Sequence, residues 1–436
     1  MTSLAAQPAT ERRNETSERS HRKVRRGLML THRLPYPPDR GDRIRSFNML
    51  KLLSRHFEVG IACTSEENVW LQHHQLLHTI AHRVAIQPIS DTYSKIRSAT
   101  ALLTGRPITP FTFFRQGRAD TIVQWHEQEP FDAIMTVCTG MVPYARLLID
   151  PRYTKRHTFM ANLPTPRHVL DLMDVDSVKW ATYAKQSWPP MSWVYGAEAR
   201  RLRRVEAGRY DTFDALTVVS EAEAQAYRDH VGESDRLHAI GNGVDLDYFT
   251  PQDDPGSACH TICFVGVLNY RPNADGVTWF AQRVMPLLRQ RVPDATFQIV
   301  GRHPTPKIEE LANIEGVDVV GSVPDVRSYI QRSAAVIAPL RIARGVQNKV
   351  LEAMACQRVV VCSPEAHEGI DAVDGEQLLV AHEPEQWVAQ LRDVFDKHER
   401  RQRIAAAARQ CVERTYSWEQ RLGPLVDLVA GEPVDR

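Results

Sequence analysis

Short apolar runs bounded by turn residues alternate along this chain with longer segments of helical period, the pattern of a parallel sheet covered by helices. In the first half the apolar runs predict strands at Gly27–Thr31, Val59–Cys63, Arg83–Ile86, Ala133–Val137, Val169–Met173 and Ala215–Val219. Helices are expected there at Ile44–Leu53, Asp120–Glu127 and Glu221–Asp229. A second alternation gives strands at Thr261–Val265, Thr296–Val300, Val317–Val320, Ala335–Ala338 and Val359–Cys362. Its helices fall at Ala274–Arg289, Thr305–Leu311, Val326–Ser333 and Asn348–Ala355, and Glu385–Val429 is helical throughout. Strands this uniformly apolar are buried on both faces, as parallel strands are. The class is therefore α/β, with two doubly wound, Rossmann-like domains. Ligands of such sheets bind beyond the carboxyl ends of the strands, so the site belongs in the cleft where the two sheets face each other.

The pattern breaks near Leu237, where Ala239-Ile240-Gly241-Asn242-Gly243-Val244 leads into the polar stretch Thr250–His260. This divides the chain into a tail at 1–25, an N-terminal domain at 26–240, a hinge at 241–260 and a C-terminal domain at 261–415. A closing helical segment at 416–436 is free to pack back on the N-terminal domain. A length of 436 residues suits two or three domains.

Charge and cysteine narrow the setting. The 54 Lys and Arg nearly balance the 53 Asp and Glu, and a net +1 provides no global field for nucleic acid. Seven cysteines scattered from Cys63 to Cys411 form neither a disulfide framework nor a zinc spacing, which fits a reducing cytoplasm. The tail to Arg26 is polar and lacks the apolar core of a signal peptide, so it is expected to be disordered. Its end, Arg22-Lys23-x-Arg25-Arg26, is either a solvated basic run or a contact for anionic lipid. No stretch reaches about 18 apolar residues, so the chain is expected to be soluble or peripheral to a membrane.

The candidate chemistry centres on Gly345-Val346-Gln347-Asn348-Lys349-Val350-Leu351-Glu352, a glycine-led loop that runs into a helix. Backbone N–H groups at a helix N-terminus form an anion site for phosphate, Lys349 adds a point charge, and Glu352 is placed to take ribose hydroxyls. The same run equally describes a buried helix. Past the strand at 261–265, Gly266 permits close backbone approach, Asn273 is a candidate helix cap, and Arg271 is the loop's single cation. Arg271 either reaches a diphosphate from the side opposite Lys349 or is a solvated turn residue. In Val320-Gly321-Ser322-Val323-Pro324-Asp325 the backbone can meet the edge of a base, and Asp325 is more simply an N-cap.

In the N-terminal half, the loop from Pro35 to Arg45 leaves the first strand and borders the cleft floor. There Gly41 allows close approach, and Asp42, Arg43 and Arg45 offer hydrogen bonds to hydroxyls or phosphate. Asp174-Val175-Asp176-Ser177 ends another strand, so Asp174 and Asp176 are candidates for acid–base work, with helix capping as the plainer explanation. Thr139-Gly140 and Ser220-Glu221 also follow strands, where capping explains them. The chain has no phosphate-binding Gly-x4-Gly-Lys loop, no dinucleotide fingerprint, no histidine or cysteine cluster for a metal and no hydrolase nucleophile elbow.

Taken together, Asn242-Gly243-Val244-Asp245-x-x-x-Phe249, the Gly266 loop, Val300-Gly301 and Pro339 through Ala355 resemble the GT-B glycosyltransferases, in particular the large retaining group that uses nucleotide-diphosphate sugars. The resemblance covers about residues 26–430. Asp174-Val175-Asp176-Ser177-x-Lys179-Trp180 is similar to bacterial polysaccharide transferases associated with exosortase loci. The GT-B resemblance implies that Gly345, Val346, Gln347 and Asn348 bind the diphosphate through backbone amides, that Glu352 holds the ribose, that Val323 borders the base, and that Gly41 lines the sugar or acceptor side. Two departures stand out: position 344 of the family's Glu-x7-Glu pattern is Arg344, and Val267 occupies the position of a usual arginine, for which Arg271 is the substitute in the same loop.

The expected activity is transfer of a sugar from a nucleotide diphosphate to a glycan or lipid-linked acceptor in exopolysaccharide biosynthesis. The family resemblance implies retention, and the transfer is expected to need no metal and no cofactor beyond the donor substrate. Lys349 and Arg271 are the expected catalytic groups, meeting the charge that grows on the leaving diphosphate. Peripheral contact with anionic membrane and no nucleic-acid partner complete the expectation. A non-catalytic binder that kept the fold and a nucleotide-sugar epimerase are the alternatives, separated by whether donor turns over and whether turnover needs an acceptor.

Overall fold

The computed structural model describes residues 24–433, apart from positions 39, 66–70, 90, 155–161, 209–212, 254–259 and 344–345. The apolar runs of the first half form seven parallel strands: β1 (Arg26–Thr31), β2 (Glu58–Ser65), β3 (Arg83–Pro88), β4 (Ala133–Val137), β5 (Arg167–Met173), β6 (Ala215–Val218) and β7 (Leu237–Ala239). Their order in the sheet is β3-β2-β1-β4-β5-β6-β7. The second half gives β8 (Thr261–Val265), β9 (Thr296–Val300), β10 (Val317–Gly321), β11 (Ala335–Ala338), β12 (Val359–Cys362) and β13 (Leu379–Val380), ordered β10-β9-β8-β11-β12-β13. Every pair is parallel. The strand order reverses at β1/β4 in one sheet and at β8/β11 in the other, and such switch points open a crevice at the carboxyl ends of the strands.

Central strands such as β11 and β12 are buried along their whole length. The expected helix at 274–289 begins earlier, at Arg271, and widens through one π-turn at Phe280–Val284 before ending at Arg289. The short edge strands β7 and β13 escaped the sequence pattern because two or three residues make no run. Helices at Leu71–Ile80, Asp91–Thr104, Val142–Ile149, Asp176–Gln186 and Met191–Glu206 also escaped it.

The helical C-terminus is three helices, Pro384–Asp396, His398–Thr415 and Trp418–Ala430. The last crosses to the N-terminal sheet, where Trp418, Leu422, Leu425 and Val426 join the apolar cluster of Met29, Met49, Leu50 and Leu53. At the crossing, Val244 N donates to Tyr416 O at 2.7 Å and Val244 pairs with Ser417 as a parallel bridge. A Cβ on Gly243 would lie 2.8 Å from Trp418 N, so only glycine lets the two strands of the connection pass this closely. Both chain crossings between the domains are thus pinned side by side, the arrangement of a hinge. Among the described residues no helix is long and apolar enough to cross a membrane.

Candidate functional site

In the C-terminal domain the helix Asn348–Ala355 starts just past β11, with Gln347 in extended conformation at its N-cap and, among the described residues, no side-chain cap hydrogen bond. Its free N–H groups therefore remain available to an anion. Lys349 stands on this first turn, half-buried. Its Nζ meets Asn273 Oδ1 at 2.5 Å and lies 4.8 Å from the centre of the Phe264 ring. Burial lowers the Lys349 ammonium to about 8, opposed by the charge of Glu352. Burial likewise raises the Glu352 carboxyl to about 7, opposed by Lys349. Burial thus leaves two ionisable groups, one turn apart near a helix N-terminus, as a poorly solvated polar pair. Asn348 Oδ1 is buried with no hydrogen-bond partner among the described residues, a further sign of a surface shaped for something polar.

Asn273 does more than the expected cap. The helix begins at Arg271 with Tyr270 at its N-cap, and Asn273 lies buried within the first turn. Its Nδ2 donates to Val267 O at 2.9 Å while its Oδ1 holds Lys349, so one side chain fixes both the Gly266 loop and the lysine. The sequence offered Asn273 only as a cap. A buried asparagine between two loops was the signal, and only the fold shows the burial. The backbone here is tightly stacked: a Cβ on Gly301 would stand 1.6 Å from Gly266 O, and one on Gly276 would stand 2.6 Å from Pro339 O.

Val323 and Val346 both pack half-buried against the apolar cluster that contains Val350 and Leu351. Gly345 and Arg344 lie outside the described residues. Arg271 is not brought to this site: its side chain is 88% exposed and pairs with Asp275 at 3.4 Å, the solvated alternative of the sequence reading. Asp325 accepts from Arg327 N at 2.9 Å and pairs with its guanidinium at 2.6 Å, one residue before the cap position Val326.

Across the cleft, Gly41 opens the helix Gly41–Leu53, exposed, with nothing within 4 Å of where a Cβ would sit. Of the polar groups expected beside it, Asp42 and Arg45 have partners within the domain and Arg43 is buried. Asp42 accepts from Arg33 Nη1 at 2.7 Å and sits 3.6 Å from His32 Nε2. Burial pushes the Asp42 carboxyl up, but the hydrogen bonds from His32 and Arg33 outweigh it and hold it far below the usual range. His32 is raised to about 10, because Cys138 and Asp42 together overcome the lowering by burial. Cys138 itself adopts φ 68°, a backbone conformation uncommon for a side-chain-bearing residue, at the end of β4. Arg43 is buried, and Arg45 is committed to Asp171.

Asp174 and Asp176 separate. Asp174 is exposed and lines a cavity of about 310 Å³ with Lys179, Tyr183, Ser220 and Glu223, and the C-terminal domain contributes Tyr270 to the same cavity. Asp176 turns inward and accepts from Thr139 Oγ1 at 2.5 Å. Burial raises its carboxyl, opposed by that bond. Ser177 donates both N–H and Oγ to buried Glu206, whose carboxyl burial raises to about 7. Ser220 is a cap, accepting from Glu223 N at 3.2 Å. The acid–base candidates thus reduce to one cavity-facing carboxylate and a second that is hydrogen-bonded within the fold.

Residues 259–397 match the family model of glycosyl transferases group 1. No curated protein sequence matches the chain. Among solved structures, HepE of Anabaena in complex with UDP aligns with a TM-score of 0.60 at 12% identity, covering 93% of this chain and 100% of its own. Sucrose-phosphate synthase of Thermosynechococcus elongatus aligns at 0.62 with 14% identity, covering 93% and 98%. WaaG, a glycosyltransferase involved in lipopolysaccharide biosynthesis, aligns at 0.59 with 14% identity, covering 93% and 100%.

Proposed function

The chain carries a group 1 glycosyltransferase domain on a GT-B fold, and from that premise we propose that it moves a sugar from a nucleotide diphosphate to a glycan or lipid-linked acceptor in bacterial exopolysaccharide assembly, with retention and without a metal. The observation that carries this reading is the pair Lys349 and Glu352 at the uncapped helix N-terminus beyond β11, with Lys349 oriented by Asn273. As the glycosidic bond breaks, its electron pair leaves on the diphosphate. The helix N–H groups and the Lys349 ammonium meet that charge, and because they are already oriented no reorganisation is needed at the moment of reaction. Glu352 takes the ribose, and Val323 with Val346 borders the base. Arg271 has no part in this account, since its guanidinium faces solvent.

The acceptor belongs on the other wall, along Gly41 and the cavity with Asp174 and Lys179. Hinge closure across Gly241–Gly243 would bring the walls together and exclude water. That HepE was captured with UDP makes uracil the first base to try.

Calorimetry and thermal shift against UDP-, GDP-, ADP- and dTDP-sugars in chelator, with Glu352→Ala alongside, test the reading. Binding of one nucleotide that survives chelator and weakens in the variant supports it. Binding that needs a divalent ion would remove the metal-free mechanism. Donor binding without turnover in the presence of any lipid-linked or glycan acceptor would leave a binding protein, the reading that the replacement at Arg344 favours.

A further inference from the structure

The helices Asp176–Gln186 and Met191–Glu206 form a hairpin that projects from the N-terminal domain, and its tip is Trp188-Pro189-Pro190-Met191-Ser192-Trp193. The aromatic residues lower in the hairpin hold the two helices together: Trp180 and Tyr183 of the first helix meet Tyr195 of the second at 5.3 and 6.2 Å between ring centres. Those at the tip do not. Trp188 is 88% exposed, Trp193 71% exposed, and Met191 is also exposed. Burying an indole is favourable, so two open ones on one turn mark a surface meant to be covered.

The charges say by what. Residues 176–206 contain six basic residues, Lys179, Lys185, Arg200, Arg201, Arg203 and Arg204, and three acidic ones. All three acids point inward: Asp176 to Thr139, Glu198 to the backbone N–H of Ile108 and Thr109 at 2.7 and 2.9 Å, Glu206 to Ser177. Lys179, Lys185, Arg200, Arg203 and Arg204 are exposed. At 3.6 residues per turn, Trp193, Arg200 and Arg204 lie on one stripe of their helix. Tryptophan at headgroup depth with a basic flank is the composition of a bilayer interface carrying anionic lipid.

We propose that this hairpin is a membrane-docking tip, which inserts Trp188, Met191 and Trp193 at the headgroup level of an anionic bilayer while Lys185 contacts lipid phosphates and Arg200, Arg203 and Arg204, about 10–17 Å further along their helix at 1.5 Å per residue, add longer-range attraction to the anionic surface. The basic terminal run is a poor substitute. Arg25 is paired with Glu432 and donates to Ala430 O, and Arg26 lies 3.5 Å from Glu58, while Arg22 and Lys23 lie outside the described residues. The first hairpin helix spans about 15 Å at 1.5 Å per residue. It lines the cavity through Val178, Lys179, Thr182 and Tyr183 and ends at the tip, so docking would hold the acceptor wall within one short helix of the lipid surface. That link to acceptor delivery rests on the transfer reading above, whereas membrane binding itself does not.

Co-sedimentation of the full chain with phosphatidylcholine vesicles, with and without phosphatidylglycerol, tests the proposal, using no donor or acceptor. The expected result is salt-sensitive binding to the anionic vesicles only, with a blue shift of tryptophan emission. Trp188→Ser with Trp193→Ser, and separately Arg200→Glu with Arg203→Glu and Arg204→Glu, should each lower the partition coefficient at least about tenfold, with unchanged thermal midpoints. No binding by the wild-type chain, equal binding to both vesicle types, or full binding by either variant set would overturn it. So would a wild-type dimer in solution that the Trp188→Ser, Trp193→Ser pair dissociates, since the tip would then be covered by a second copy. Vesicle binding without nucleotide-sugar binding would spare this proposal and sink the transferase reading. Donor turnover by a chain that ignores vesicles would do the reverse.

Discussion

Arg45 and Asp171 form a fully buried, two-point ion pair, Nε to Oδ2 at 2.9 Å and Nη2 to Oδ1 at 3.0 Å, that joins the first helix of the N-terminal domain to the centre of its sheet. Thr217 Oγ1 donates to the same carboxylate at 2.7 Å. The remaining nitrogen of Arg45 donates to Asn242 Oδ1 at 3.0 Å and to Gly241 O at 3.3 Å, which are the first residues of the hinge. One side chain therefore couples sheet, helix and hinge. Removing a single partner leaves the other charge buried and uncompensated, which costs about 3–5 kcal/mol. Arg45→Met and Asp171→Leu should each lose that much in urea unfolding. The double variant should lose less than the sum, and an additive result would show that the pair is not the coupling.

This pair also shows where sequence reading stops. Strands such as Val359-Val360-Val361-Cys362 were legible because burial on both faces leaves an uninterrupted apolar run. The helix Asn348–Ala355 was legible because its apolar stripe and its glycine-led approach coincide. Arg45 and Asp171 were not, since a charged residue reads as solvent-facing until its partner, 126 positions away, is placed beside it. The same holds for Glu198 and Glu206, whose carboxylates accept backbone N–H groups inside the domain. The hairpin at 176–206 was hidden because Pro189-Pro190 and the tip tryptophans interrupt its period. Lys349 and Glu352 stood out by their chemistry, but Asn273, which holds Lys349, needed the fold.

Lys349 is expected to act as a charge. Lys349→Ala should lower kcat by about 10²–10³, the usual consequence of deleting one preorganised donor to a developing anion, with a smaller change in KM. Its lowered value of about 8 adds a pH signature. The ammonium is present below that value and is lost above it, so kcat/KM of the free enzyme should fall as pH rises through about 8. Lys349→Arg, which stays charged, should abolish that descending limb even if it reduces the rate. A limb unchanged in the arginine variant would assign it to another group.

Glu352 makes the opposite claim on stability. Its carboxyl ordinarily titrates near 4.5 and is raised to about 7 in the folded chain, so between those values the folded state holds more proton than the unfolded one. Its contribution is fully present below about 4.5 and is lost as pH rises to about 7. Thermal midpoints of the wild type should fall across that window relative to Glu352→Gln, which cannot ionise. Parallel curves for the two proteins would remove Glu352 as the source. Lys349, with its value lowered from 10.5 to about 8, should make stability rise between those two values, an increase that Lys349→Met removes.

Two glycines at opposite walls of the cleft should answer differently to the same methyl group. At Gly301 a Cβ would overlap Gly266 O at 1.6 Å, and the loops beyond β8 and β9 would have to separate. Gly301→Ala should cost at least the roughly 1–3 kcal/mol of an overpacked core and disturb the Gly266 loop that Asn273 and Lys349 depend on. Donor affinity and stability should fall together. At Gly41 nothing lies within 4 Å, and the residue opens a helix, so Gly41→Ala should leave stability unchanged or raise it by up to about 1 kcal/mol. Any loss in that variant should appear in the KM for the acceptor, with donor affinity intact. If Gly41→Ala instead weakened the donor alone, the acceptor would have to lie elsewhere on the N-terminal wall, and the cavity beside Asp174 and Lys179 would be the place to look next.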